Sequence, residues 1–160
     1  MRIKERPHRL PPETYRGPIG VAFTCCIADH QSPFVEPVIV ETFVSILSEQ
    51  AARFDCIVAA YCFMPDHLHV SLRGRSEDAD ALKVMKAFKY KTGLWFGKHR
   101  PDLGWQKGFY DHVYRNKQDG LEQVRYILKN PVRAGLVDDF RDYPFLGSIG
   151  VDLDEVLSDL

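Results

Sequence analysis

Two histidines separated by one residue, His67 and His69, are the clearest chemical feature of the sequence. They begin a run of alternating character, residues 67–73, which predicts a β-strand. Side chains two apart on a strand point to the same side, so both imidazoles share one face and Leu68 lies on the other. Such a pair can bind one divalent metal ion: Zn, Mn, Fe, Co or Ni, or Mg when oxygen ligands complete the shell. The alternative is two unrelated histidines on a half-exposed strand.

A tyrosine and an asparagine, Tyr126 and Asn130, lie on the polar side of a predicted helix. When positions around the helix are counted from Leu121 at 100° per residue, the apolar stripe is centred near ~310°. Tyr126 falls at ~140° and Asn130 at ~180°, outside that stripe. Since the two are four residues apart, their side chains project together. A tyrosine outside the stripe contacts a neighbouring element or solvent, and the pattern alone assigns it no chemical role.

The net charge of -1 hides an uneven distribution along the chain. Residues 83–133 carry twelve basic and four acidic residues, whereas residues 138–160 carry one basic and seven acidic residues. The basic segment also contains nine aromatic residues, a type on which unpaired bases stack. This distribution favours contact with nucleic acid, although a solvated lysine face over core aromatics is the alternative. The basic residues expected to contact nucleic acid are Lys89, Lys91, Arg115, Arg125, Lys129 and Arg133.

The overall composition indicates one soluble globular domain. The chain has 160 residues, of which 45% are hydrophobic, and its mean hydropathy is -0.25. No stretch approaches the ~18 to 20 apolar residues of a membrane span, and the first residues lack the apolar region of a signal peptide, so we expect a cytoplasmic protein. The four cysteines form no CxxC pair, which excludes a zinc ribbon or thioredoxin-type motif and predicts reduced thiols in the core.

The predicted elements follow the order β-α-β-β-α-β and then a further helix. The strands are expected at 21–27, 55–64, 67–73 and 109–115, and the helices at 37–54, 76–98 and 119–129. We expect Ser76 and Asp119 to cap the last two helices, and Asn130-Pro131 to end the third. This order fits an α+β fold of the ferredoxin-like split βαβ type, an antiparallel sheet with two helices on one face.

Three segments are expected along the chain. Residues 1–18 contain four prolines among arginines and predict a basic, extended arm. Residues 19–143 form the domain that contains the predicted sheet. Residues 144–160 form an acidic tail with at most one weak helix.

Three sequence blocks together resemble the REP-associated branch of the single-tyrosine, IS200-like transposases. Residues 63–70, FMPDHLHV, are similar to the histidine-hydrophobic-histidine (HUH) block of this family. Residues 105–116, which contain WQ and then FYDHVYRN, resemble its next block, and residues 126–137, YILKNPVRAGLV, resemble its tyrosine block. The blocks occur in the family's order and at about its spacing, so the resemblance extends from about residue 15 to residue 143.

The resemblance implies a ferredoxin-like HUH endonuclease that uses Mg²⁺ or Mn²⁺ and acts on single-stranded DNA hairpins of palindromic repeats. Tyr126 matches the nucleophile on a C-terminal catalytic helix, and His67 and His69 match the metal-binding histidines. Asn130 matches the position that supplies a third, polar metal ligand. Asp66 stands where this turn more commonly has asparagine. Family members act as monomers or as dimers, and the sequence does not distinguish the two.

A tyrosine nucleophile places demands on its surroundings. Because a phenol has a pKa near ~10, it needs nearby positive charge, for which Lys129 and Arg125 are candidates by position. Attack would leave a 5′-phosphotyrosine and a free 3′-OH, and a second 3′-OH can reverse the step. Two alternatives stay open. One is a non-catalytic protein that binds DNA or RNA hairpins, and the other is a hydrolase that uses His67, His69 and an activated water.

Overall fold

The computed structural model describes residues 9–159, which form a five-stranded antiparallel sheet flanked by helices. The sheet order is β4-β1-β3-β2-β5. The first four strands and the first two helices follow the β-α-β-β-α-β order, so the predicted α+β, ferredoxin-like class is confirmed. The strands are β1 (Gly20–Cys26), β2 (Cys56–Met64), β3 (His67–Gly74), β4 (Tyr110–Val113) and β5 (Leu146–Ile149).

The helices form two layers, one on each face of the sheet. Helices α1 and α2 cover one face, where their buried side chains join Phe23 of β1 and Leu68 of β3 in the larger core. Helices α3 and α4 cover the other face, where Ile127 and Leu128 pack on β2. The helices are α1 (Pro37–Arg53), α2 (Ala81–His99), α3 (Lys117–Arg133) and α4 (Leu153–Ser158). Since β3 is central and covered on both faces, the side chains on its α3 side are also buried.

Helix α2 begins five residues later than predicted. Asp80 is its N-cap and accepts a hydrogen bond from the Lys83 N–H, whereas the Ser76 hydroxyl accepts one from the Asp78 N–H in the preceding turn. Both residue types are favourable caps. The position of the helix is decided by tertiary contacts, because Asp80 also pairs with Arg16 and is buried.

Helix α3 is longer at both ends than predicted. Asn116, and not Asp119, is the N-cap, because its side chain accepts the Asp119 N–H. The helix also continues through Pro131, so the prediction that Asn130-Pro131 ends it is wrong. Its last residue is Arg133, and Gly135 (φ 74°) follows in a Schellman motif in which the Leu136 N–H donates to the Pro131 carbonyl. This motif stabilises the last turn and compensates for the backbone hydrogen bond that is lost because proline has no N–H.

Parts of the expected arm and tail are built into the fold. Tyr15 lies in a short turn, Pro12–Tyr15, and is fully buried with its hydroxyl donating to Asp111 at 2.9 Å. Arg9 also pairs with Asp111, so the described part of the expected arm is anchored to the domain at Arg9 and Tyr15; residues 1–8 of the expected arm lie outside the described residues. After Pro144, where the sequence predicts at most one weak helix, β5 pairs with β2 and α4 packs on the second core.

All four cysteines are buried and free, as predicted. Burial raises the pKa of the Cys25 and Cys62 thiols to about 12. Within residues 9–159, none of the helices has the length and apolar character needed to cross a bilayer.

Candidate active site

A row of side chains across four strands forms the floor of the candidate site. On the face that carries α3, Tyr110 of β4 pairs with Thr24 of β1, and Thr24 pairs with His69 of β3. His69 pairs in turn with Cys62 of β2. Adjacent strands are ~4.8 Å apart, so Tyr110 lies about 10 Å along the row from His69. The ring of His67 lies beside that of His69, with centroids 4.8 Å apart, which confirms that the two imidazoles share one face.

Neighbouring oxygen atoms orient both imidazoles. The Nδ1 atom of His67 lies 2.6 Å from Oδ1 of Asp66, and Nδ1 of His69 lies 2.9 Å from Oγ1 of Thr24. A carboxylate can only accept a hydrogen bond, so Asp66 holds the His67 proton on Nδ1 and leaves the lone pair on Nε2. When the Thr24 hydroxyl accepts a hydrogen bond from Nδ1 of His69 in the same way, Nε2 of His69 also keeps its lone pair for a metal ion. Proteins orient metal-binding histidines by such contacts, so the pair fits a divalent metal ion in donor type and orientation.

The charge states at neutral pH also suit a metal ion. His69 is 6% exposed, and burial, together with His67 and Arg133, lowers its pKa to about 3, so the ring is neutral. Burial has the largest single effect on the Asp66 carboxyl and raises its pKa, but the hydrogen bond from His67 and the attraction of nearby positive charge together outweigh burial, so the pKa is lowered. A neutral imidazole and an ionised carboxylate are the states that metal binding requires.

Tyr126 lies beside the two histidines and projects from α3. Its ring centroid is 5.9 Å from that of His69, the ring planes are 87° apart, and the residue is 52% exposed. Val124, Ile127 and Leu128 are buried against β2, which leaves Tyr126 outside the apolar stripe, as the sequence predicts. An accessible phenol and two oriented imidazoles therefore meet on one face of the sheet.

Arg133 holds the ring of Tyr126. Its guanidinium carbon lies 3.9 Å from the ring centroid, and its Nη2 donates to the Tyr126 backbone carbonyl at 2.5 Å. A cation over an aromatic face is attracted by ~0.5 to 2 kcal/mol, depending on its exposure. The guanidinium therefore favours one orientation of the phenol.

Asn130 follows Tyr126 by one turn of α3 and is half-buried. Residues four apart on a helix lie on one side, so Asn130 faces the same direction as Tyr126. Within the described part of the chain, no three His, Cys, Asp or Glu side chains are grouped to hold a metal ion. A site at His67 and His69 therefore needs a third ligand of another type, and the role of Asn130 as that ligand stays a prediction.

The start of α3 is fixed to β4 by a buried carboxylate. Oδ2 of Asp119 lies 2.9 Å from Nε2 of His112 and accepts the Arg115 N–H at 2.9 Å. The Arg115 hydrogen bond is the main cause of the lowered pKa of Asp119, and His112 contributes. These contacts set the position of α3 and so of Tyr126, two turns further along the helix.

The six basic residues expected to contact nucleic acid lie in different places. Lys89 is half-buried, and its ammonium donates to the carbonyls of Gln106 at 2.9 Å and Gly108 at 2.6 Å, so it holds the segment that leads into β4. Lys91 is exposed on α2, in the helical layer on the other face of the sheet from Tyr126. The remaining four lie on α3 or just before it: Arg115, Arg125, Lys129 and Arg133.

A cleft of about 500 Å³ opens beside the histidines, between α3 and the β1–β4 edge of the sheet. Tyr126 and His69 line one part of it. Tyr110 lines it from β4, and Glu122 and Gln123 line it from α3. Thr24, Tyr110, Glu122 and Gln123 are not predicted as site residues from the sequence.

Comparisons with known proteins find relatives in one family. The family model described as "Transposase IS200 like" matches residues 21–129. The Haemophilus influenzae protein "Putative REP-associated tyrosine transposase" is 25% identical over 134 residues, which are 77% of this chain and 76% of the relative. The Escherichia coli K12 protein "REP-associated tyrosine transposase" is 32% identical over 92 residues, which are 55% of this chain and 52% of the relative.

A solved structure has the same fold. It is described as "Structure of the REP associates tyrosine transposase bound to a REP hairpin", and it aligns with a TM-score of 0.73. The alignment covers 89% of this chain and 82% of that chain at 22% identity.

Proposed function

The chain belongs to the family of IS200-like transposases, and on this basis we propose that it is a metal-dependent endonuclease and strand transferase for single-stranded DNA. Its substrate would be DNA beside hairpins of palindromic repeats. The observation that carries the proposal is the contact between the rings of Tyr126 and His69, 5.9 Å apart, on the face that also carries His67. In the proposed reaction, Tyr126 as nucleophile and the two imidazoles as metal ligands would act on one phosphate.

The metal ion would be Mg²⁺ or Mn²⁺, held by Nε2 of His67 and His69, with Asn130 as a third protein ligand. When bound, it would supply Lewis-acid polarisation of the scissile phosphate. Asp66 supports this role because its carboxylate holds the proton of His67 on Nδ1, and Thr24 would do the same for His69 when its hydroxyl accepts a hydrogen bond from Nδ1.

The phenolic oxygen of Tyr126 would attack phosphorus as the 3′-oxygen of the preceding nucleotide leaves. The products would be a 5′-phosphotyrosine and a free 3′-OH. A second 3′-OH can then displace the tyrosine, and the result is strand transfer. Arg133 would keep the ring oriented, while the exposed cations at Arg115 and Lys129 would contact backbone phosphates.

The hairpin is the substrate that the comparisons support. The solved neighbour is described as bound to a REP hairpin, and both curated relatives are named as REP-associated. The basic residues of α3 lie on the same side of the sheet as Tyr126 and would face such a DNA.

An adduct assay tests the proposal. Single-stranded hairpins from the DNA flanking the gene are labelled at the 3′ end, because that fragment would become linked to the protein. They are incubated with Mg²⁺ or Mn²⁺ and analysed on a denaturing gel. We expect label to migrate with the protein, and Tyr126→Phe or EDTA to abolish it. Tyr90→Phe is the matched control, because Tyr90 is 68% exposed on α2.

The two alternatives give different results in this assay. A non-catalytic hairpin-binding protein would bind the DNA tightly but form no adduct with either metal. A hydrolase that uses an activated water would cleave without an adduct, and Tyr126→Phe would stay active.

A further inference from the structure

The cleft beside Tyr126 has a lining that differs from that of a phosphate site. Its lining residues within the described chain include no lysine or arginine, and Glu122 contributes a carboxylate. A DNA backbone would be repelled by that charge. Tyr126 and His69 nevertheless line the cleft, so a substrate held at Tyr126 could reach into it. The lining suits an uncharged group of the substrate.

The shape of the cleft follows from the cross-strand row. Ala22 and Thr24 of β1 are short and form the floor, which leaves a gap between Tyr110 at the sheet edge and α3. A volume of about 500 Å³ lies within the range of ~300 to 1,000 Å³ that small-ligand pockets occupy. The gap can therefore receive a planar group of nucleobase size.

The walls carry the two kinds of contact that recognise an unpaired base. Tyr110 is 40% exposed and offers an aromatic ring for stacking. On the opposite wall, the amide of Gln123 can donate and accept, whereas the carboxylate of Glu122 accepts from an exocyclic amino group. Gln118 donates to Oε1 of Glu122 at 3.3 Å, which restrains that carboxylate.

We propose that this cleft binds one unpaired nucleobase next to the scissile phosphate, with Tyr110 stacking on the base and Glu122 and Gln123 reading its edge. The inference rests on the proposed function, since it names the nucleotide that the same active site selects. Part of the cleavage specificity would then come from protein contacts to a base and not from the hairpin alone.

The test combines a change in the DNA with a change in the protein. In hairpin substrates, each nucleotide flanking the cleavage position is replaced in turn by an abasic site, and the rate of adduct formation is measured with the wild-type protein. From the strength of base–aromatic stacking, we expect one abasic position, and separately Tyr110→Ala, to slow the rate by about 5- to 150-fold. When the abasic site and Tyr110→Ala are combined, the rate of adduct formation should fall little further than with either change alone.

Matched variants separate stacking from other effects. Tyr110→Phe keeps the ring and should retain most of the rate, and Tyr90→Ala, on the other layer, should retain all of it. Glu122→Gln and Gln123→Ala should change which base is preferred at the sensitive position, measured with the four bases in competition.

The outcomes distinguish this inference from the proposed function. If the wild-type protein forms no adduct with any hairpin, the proposed function fails and the inference fails with it. If adducts form but no abasic site slows them, or the effects of the abasic site and Tyr110→Ala simply multiply, the base pocket is refuted while the transposase activity stands. An unchanged base preference in both α3 variants refutes their role in reading the base.

Discussion

Replacing Asp66 tests how strongly the turn between β2 and β3 controls the proposed metal site. Its Oδ1 lies 2.6 Å from Nδ1 of His67, and the two side chains are 31% and 11% exposed. Asp66→Asn keeps an oxygen acceptor of the same size but removes its negative charge, whereas Asp66→Ala removes the acceptor as well.

The expected magnitudes follow from the type of hydrogen bond. A bond to a charged group contributes ~1.5 to 3 kcal/mol and a neutral one ~0.5 to 1.5 kcal/mol, so losing the charge costs about 1.5 kcal/mol. That is about a tenfold loss of metal affinity for Asp66→Asn. For Asp66→Ala, which removes the acceptor as well, we expect a larger loss, within the range of about 10- to 100-fold for a residue that orients a metal ligand. Because Asp66 is partly exposed, solvent screening keeps this loss below the upper end of that range.

The assay is a titration of adduct formation against Mn²⁺, supported by calorimetric binding of Mn²⁺ to the protein alone. Both variants should shift the half-saturating concentration upward and approach the wild-type rate at high Mn²⁺. Asp102→Asn, which removes an exposed carboxylate, is the control. If Asp66→Ala shows the wild-type metal dependence, the hydrogen bond does not orient His67 and this reasoning is refuted.

Three further predictions concern other contacts. Arg133→Ala removes the guanidinium above the ring of Tyr126, the proposed nucleophile, and should slow adduct formation about tenfold at saturating DNA; an unchanged rate would contradict a role of Arg133 in orienting that ring. The lowered pKa of Asp119 means that its carboxylate stabilises the fold at neutral pH and loses this effect as the pH falls below the ordinary value of 3.8. Asp119→Asn should therefore lower the free energy of unfolding in urea by ~1 to 3 kcal/mol at pH 7, and a difference that does not shrink as the pH falls below 3.8 would contradict this. In Gly74→Ala, the new Cβ would lie 1.9 Å from the Gly17 carbonyl oxygen, so we expect destabilisation above ~2 kcal/mol in thermal unfolding, whereas Gly104→Ala, which meets nothing within 4 Å, should change little.

Local patterns were enough to predict most of the fold and part of the site. Alternation within β3 placed His67 and His69 on one face, and the helical period placed Tyr126 outside the apolar stripe. Both conclusions depend on residues close together in sequence. Packing of α3 on β2 then brings Tyr126 to the histidines, and that contact was implied by the family resemblance and not by any local pattern.

The other features depend on contacts between distant segments. Thr24 meets His69, and Tyr110 joins the same row, only through the register of strands far apart in sequence. The strand β5 forms because it pairs with β2, an arrangement that the Tyr143 hydroxyl supports by donating to the Phe63 carbonyl at 2.6 Å. A count of charges likewise cannot show that the Lys89 ammonium points inward to two carbonyls.

The short link between β4 and α3 has a consequence for stoichiometry. Only residues 114–116 separate the two elements, and they span at most about 11 Å when fully extended. Asp119 ties the first turn of α3 to His112, so Tyr126 cannot reach the histidines of a second copy unless that turn unwinds. In this conformation, every chain places its own Tyr126 beside its own His69. Under the proposed mechanism, the number of reactive centres would equal the number of chains, and mixing a variant of His67 with a variant of Tyr126 would restore no activity.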